Sequence, residues 1–178
     1  MNEQVALYSA LPVLHFPEAW RHRCTEGIRS NIGTVLEAIM CHNVYPSQYL
    51  EEAAWNQLVL KAFFTEKPVH QIIGLDARAN KELAYILSDY AHERWAAGRS
   101  VHPQLWRCVA PFVDDKLFED IVHLAQSKNE TEREAAALVC QQSNYQPCKA
   151  LLQQANLQPI AHQHLSWQNI AERADSTI

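Results

Sequence analysis

The polar side of one helix-like segment, Asn80 to Ala97, carries the densest set of reactive side chains in the sequence. Tyr85, Ser88 and Asp89 stand seven, four and three residues before His92, spacings that bring all four to one face of an α-helix. Glu93 and Arg94 follow directly. An aspartate three residues ahead of a histidine can hold the imidazole and orient it as a general base. The same two groups are also metal-ligand types. The zinc-protease pattern is missing, because Ala96 occupies the place of its second histidine. No His-Asp dipeptide of the kind used by helical phosphohydrolases occurs either. Three readings of this face stay open: a catalytic or metal-binding pair, a polar network between helices, and a solvated surface.

Other reactive residues are more scattered. The nine histidines are dispersed, and only His162-Gln163-His164 places two close together. Nucleophilic catalysis needs an activated serine or cysteine beside a base, and no serine here is flanked by the glycines of a nucleophile elbow. Cys108, in Trp106-Arg107-Cys108, reads as part of an apolar helical surface. In Gly74–Asn80, Asp76 and Asn80 suit helix caps, while Arg78 suits a clamp on a helix end or on an acidic ligand. Trp55, Trp95 and Trp106 read first as core anchors and second as pocket walls. The candidate ligand- or partner-binding set is therefore Arg78, Asp89, His92, Glu93, Arg94 and Trp95. No catalytic residue, metal ligand or cofactor is assigned.

The elements that must position these residues follow from composition. The chain has 178 residues, 48% of them hydrophobic, with only 4 glycines and 8 prolines. So few glycines cannot supply the positive-φ positions of many hairpins, nor a clustered phosphate loop. A net charge of −5 with both signs interspersed excludes the basic stripe of a nucleic-acid binder. The concentration Asp114-Asp115 with Glu119-Asp120 reads as a solvated helix start. Apolar stretches are interrupted by charge before the ~18 residues of a membrane span, and no secretory signal opens the chain. The 5 cysteines lack CxxC spacing and read as reduced, small hydrophobes of a cytoplasmic protein.

Periodicity predicts helices throughout and no strand. One covers Asn2–Leu11; another starts at Pro17 and runs through Ile39, with Gly27 and Gly33 as close-approach points or a break. A helix over Gln48–Thr65 follows a Tyr45-Pro46-Ser47 turn, with Ser47 as its cap. Residues 68–76 fit either a helical turn or an extended connector. Asn80–Ala97 ends at Gly98, and further helices start near His102-Pro103, at Asp114, at Asn129 or Thr131 as cap of Glu132–Gln142, and at Pro147. Seven to nine helices with short connections predict an all-α fold. The expected form is an irregular antiparallel array, a HEAT-like α–α superhelix, with a closed helical bundle as the alternative. Residues 1–158 are expected to form one domain, and 159–178 a weak helix or flexible tail.

Particular runs of residues resemble the EboA family. They are Leu75-Asp76-Ala77-Arg78-Ala79-Asn80, then Asp89-Tyr90-Ala91-His92-Glu93-Arg94-Trp95-Ala96-Ala97-Gly98-Arg99, then Leu105-Trp106-Arg107 before Pro111-Phe112. Upstream, Glu3–Tyr8, Glu26–Asn31 and Glu52–Gln57 extend the likeness, which covers roughly residues 2 to 155. The resemblance implies a bacterial protein of secondary metabolism. Its family is encoded beside a prenyltransferase-like membrane protein and a TatD-like hydrolase, in clusters that move a metabolite precursor across the inner membrane. It assigns no catalytic residue. Family members carry a helical segment ahead of the position of Met1, so the resemblance implies either a short member or a piece lacking its first helices, and in the second case a normally covered surface that presents an apolar patch.

The leading expectation is thus a cytoplasmic, non-catalytic binding or adaptor protein. Its implied partners are a small metabolite and membrane-associated proteins of the same gene cluster, with no nucleic acid and no direct membrane insertion. An acid/base or metal-assisted hydrolase using Asp89 and His92 is the first alternative, and a purely structural interaction scaffold the second.

Overall fold

The computed structural model describes residues 2–154, 157–161 and 165–175, and these form an all-α protein. His162 and His164 lie outside the described residues. The chain divides into two compact units, Met1–Arg78 and Ala79–Ile178, a boundary inside the 1–158 stretch expected as one domain. Twelve α-helices occur among the described residues, more than the seven to nine expected, because the Pro17–Ile39 helix is cut and short helices form at Tyr45–Tyr49 and beyond residue 157.

The first unit shows those cuts. It contains α1 (Asn2–Ala10), α2 (Arg21–Ile28), α3 (Gly33–Met40), α4 (Tyr45–Tyr49) and α5 (Glu52–Phe64), with 3-10 turns at Leu11–Val13, Pro17–Trp20 and Val69–Gln71. The helix expected from Pro17 through Ile39 is interrupted after Ile28. There the Ser30 hydroxyl accepts from the Ile32 amide at 3.1 Å, replacing the helical ladder with a local turn. Ser47 does not cap α5. Its hydroxyl donates back to the Val44 carbonyl at 2.8 Å, and the chain has already turned helical at Tyr45. The cause is Asn43, which is buried and fully used. Its Oδ1 accepts from the Tyr45 amide at 3.0 Å, and its Nδ2 donates to the carbonyls of Tyr8 and Ala38 at 2.9 Å each. One side chain thus joins α1, α3 and the start of α4.

Residues 68–76 combine both forms left open. The Val69–Gln71 turn is followed by a single antiparallel bridge between Ile72 and Cys41, beside which the His42 amide donates to the Gln71 carbonyl at 3.0 Å. Trp55, Tyr45, Leu36, Ile39, Met40 and Leu58 form the centre of this unit and are fully buried. Gly27 is a close-approach point. A Cβ there would lie 2.6 Å from Tyr8 Cζ and 2.7 Å from Ile39 Cδ1. Gly27→Ala should therefore lower stability by about 1–3 kcal/mol despite alanine's better helix propensity, because overpacking outweighs propensity. Urea unfolding measures the loss, and a stabilised variant would contradict the packing argument.

The second unit opens on α6 (Lys81–Ala96), the best-delimited helix of the chain. Asn80 Oδ1 accepts from the Leu83 amide at 2.8 Å as its N-cap. At the other end Gly98 adopts φ +67, the Gly98 amide donates to the Trp95 carbonyl and the Arg99 amide to the Arg94 carbonyl, which is a Schellman stop. Leu83, Leu87 and Ala91 are buried as their spacing predicts, joined by Ala84 and Ser88.

Next come α7 (Leu105–Val109), a 3-10 turn at Ala110–Phe112, α8 (Asp115–Ala125), α9 (Glu130–Gln142) and α10 (Gln146–Leu152). Asp114 caps α8 as expected, and of Asn129 and Thr131 it is Asn129 that caps α9. The Tyr85 hydroxyl, with the Leu117 amide and Lys81 behind it, holds the Asp114 carboxyl below its usual range despite partial burial. A carboxylate with a lowered pKa favours the folded state at neutral pH, and that contribution is lost as pH falls through the lowered value.

Helix α9 lies against α7, α8 and α10, and every residue from Glu134 to Cys140 is buried. A helix surrounded on all sides has no polar stripe, so periodicity understates its burial. Beyond residue 157, where helix and loose tail were both expected forms, the described residues make α11 (Gln158–Ala161) and α12 (Trp167–Asp175). All five cysteines carry free thiols, and burial pushes that of Cys24 up to about 12. No helix among the described residues is long and apolar enough to cross a membrane.

Candidate functional site

The reactive face of α6 meets α8, and the pairing differs from the expected one. His92 does not use Asp89. Its Nε2 lies 2.5 Å from Oδ1 of Asp120 on α8, while Asp89 Oδ1 sits 3.6 Å from Lys116 Nζ. Both members of the Asp89–Lys116 pair are exposed, so it adds at most about 1 kcal/mol. Asp120 is the opposite case. It is only 3% exposed, so its carboxylate needs satisfied oxygens. The buried Ser88 hydroxyl donates to Oδ2 at 2.6 Å, and His92 occupies Oδ1. Asp120 belongs to this buried contact and not to a solvated helix start.

An ionised carboxylate can only accept, so the Nε2 facing Asp120 carries the proton and Nδ1 is the nitrogen left uncommitted. The His92 side chain is half exposed. An imidazole oriented from below by a buried aspartate and open above can accept a hydrogen bond, donate one when protonated, or move a proton.

Aromatic rings frame it. Trp95, on the same helix, lies 5.7 Å from His92 between centroids, and stacks on the fully buried Trp106 of α7 at 5.7 Å and 15°. His123 of α8 approaches the Trp95 ring to 4.3 Å and is itself exposed. Two imidazoles and a half-buried indole therefore share one surface, rooted in Asp120 and Trp106.

Two of the remaining candidates, Arg94 and Arg78, have structural duties. Arg94 Nε donates to the Ser100 carbonyl at 2.7 Å and braces the turn after Gly98. Glu93 is exposed. Arg78 belongs to the first unit, where its guanidinium donates to the carbonyls of Pro46, Ser47 and Leu50 at 3.2, 3.2 and 2.8 Å and lies 4.9 Å from the Trp55 ring centroid. It clamps the C-terminal end of α4, one of the two roles its sequence context suggests. Of the expected set, His92 and Trp95 are brought together. Asp120, His123 and Trp106 join them without having been in that set. Among the described residues no three His, Cys, Asp or Glu side chains gather at metal-binding geometry.

The family model described as Metabolite traffic protein EboA matches residues 1–110. The chain belongs to the EboA family. The match includes α6 and α7, and so His92, Trp95 and Trp106, and stops short of Asp120 and His123. No curated protein and no solved structure matches the chain.

Proposed function

We propose that this EboA-family protein is a non-catalytic, cytoplasmic adaptor of metabolite traffic, holding a small metabolite or a membrane-associated partner encoded in the same cluster. HEAT-like stacking of its helix pairs is part of the proposal. The carrying observation is the half-exposed His92 ring, oriented by the buried Asp120 and bordered by Trp95 and His123. A ligand there gains an apolar ring face and a hydrogen-bonding nitrogen whose orientation is already fixed, which lowers the ordering cost of binding.

Calorimetric titration with the co-encoded proteins and with hydroxyl-, carboxylate- and phosphate-bearing metabolites tests it. Binding to the wild-type chain, weakened at least tenfold by His92→Ala and by Trp95→Ala in folded variants, is expected. No binding by the wild type overturns the reading. The His92–Asp120 contact also supports a second reading, an acid/base hydrolase in which Asp120 replaces Asp89 as the orienting carboxylate. Hydrolysis of nitrophenyl esters or phosphates that His92→Ala abolishes would favour it over the adaptor.

A further inference from the structure

Cys140 and Cys148 meet across the turn that joins α9 to α10, one in the last turn of the first helix and one in the first turn of the second. Both are buried. The Cys140 thiol donates a hydrogen bond to the Cys148 sulfur, and the Ser143 hydroxyl donates a second. Ser143 is held in place for this. It is buried at the end of α9, and its Oγ accepts from the Tyr145 amide at 3.1 Å, which leaves the hydroxyl proton for the sulfur.

Other cysteines of the chain show what burial alone does. Cys24 is as deeply buried as Cys148, and its thiol is pushed up to about 12. Burial raises the Cys41 thiol as well. Cys148 goes the other way. The hydrogen bond from Cys140, with that from Ser143 in support, holds its thiol below the usual value despite burial. Cys140, as the donor, keeps its proton. A thiolate is the form that attacks an oxidant, and a second thiol in contact with it resolves the product. Hydrogen-bonded sulfurs have only about 2 Å to close before they reach bonding distance.

We propose that Cys140 and Cys148 are a peroxide-sensitive dithiol that closes to an intrachain disulfide between α9 and α10. The Cys148 thiolate bonds to one peroxide oxygen and the O–O bond breaks. The hydroxide released takes up the proton that Cys148 gave up and leaves as water. Cys148 is now a sulfenic acid, and the Cys140 sulfur attacks it. The S–S bond forms as the S–O bond breaks, and the second hydroxide leaves as water with the Cys140 proton. Two thiols have then lost two electrons, and one peroxide has become two waters. Access comes from α10 itself. It buries only Cys148 and Leu151, so this short helix lifts readily and admits an oxidant little larger than water.

Hydrogen peroxide added in increasing amounts to the reduced full chain is the test, followed by denaturation in iodoacetamide and digestion with trypsin. The peptide Glu134–Lys149 contains both cysteines and no other. It should appear unalkylated and lighter by two hydrogens, and dithiothreitol should restore its two thiols. Its conversion should be at least tenfold faster than oxidation of Cys24 or Cys108. Finding Cys140 and Cys148 both alkylated after the part-exposed Cys41 has been oxidised overturns the proposal. So does a disulfide from either one to another cysteine. In Cys140→Ser the resolving thiol is gone, and dimedone should trap a sulfenic acid at Cys148. Equally fast trapping at Cys140 in Cys148→Ser overturns Cys148 as the attacking sulfur.

Discussion

Trp106→Ala should lower the free energy of unfolding by about 3–5 kcal/mol, the range for truncating a large core aromatic. The indole is fully buried on α7, a short helix whose neighbours are α6 and α9, and its ring stacks on Trp95. Its ring nitrogen has no hydrogen-bond partner among the described residues, so truncation strands no polar group. The loss is therefore a cavity and transfer effect. Urea unfolding of the variant should show a lower midpoint with an unchanged slope. The variant also removes the floor on which Trp95 rests, so ring contacts between Trp95 and His123 should loosen in side-chain NMR spectra. A loss below about 1 kcal/mol would mean that the site collapses around the gap, and that Trp106 is not an anchor of this unit.

Asp120→Ala should cost about 2–4 kcal/mol for a different reason. It strands the buried Ser88 hydroxyl and frees His92 from its hydrogen-bond partner on α8. Asp120→Asn preserves shape and one acceptor oxygen, so its cost should be roughly half that of the alanine variant. A double-mutant cycle of Ser88→Ala with Asp120→Ala isolates the hydroxyl–carboxylate term, expected at about 0.5–3 kcal/mol. Strictly additive losses would mean that the two side chains do not interact in solution. The alanine variant should also mimic His92→Ala in the titration experiments, because an imidazole free to rotate no longer offers Nδ1 in one direction.

What was legible in the sequence was local. The limits of α6 follow from Asn80 and Gly98, whose side-chain and φ requirements act within one turn of the helix end. The caps Asp114 and Asn129 follow by the same logic. The partner of His92 was not legible in that way. Asp89 is the near choice along the helix, yet its side chain serves an exposed ion pair, and the partner used stands 28 positions away. A signal for it existed. Asp120 follows Leu117 by three and directly precedes Ile121, which places a carboxylate inside the apolar face of α8. Ser47 was misjudged as a cap because Asn43, outside the predicted helix, satisfies three backbone groups at once. The seat of α12 was obscured because its Arg173 pairs with Glu134 of α9, thirty-nine positions upstream, a contact no local pattern records.

The family match ends at residue 110, within the first third of the second unit. A chain ending there would keep His92 but lose the carboxylate beneath it, and would keep Trp106 while losing α9 beside it. Leu83, Leu87 and Ala91 would remain on α6 without the helices that follow α7 in this unit. Recognisable ancestry and cooperative folding therefore have different limits in this protein. The residues after 110 complete a unit of which the family match covers less than the first third, so inheritance of the recognisable part presupposes something that closes it.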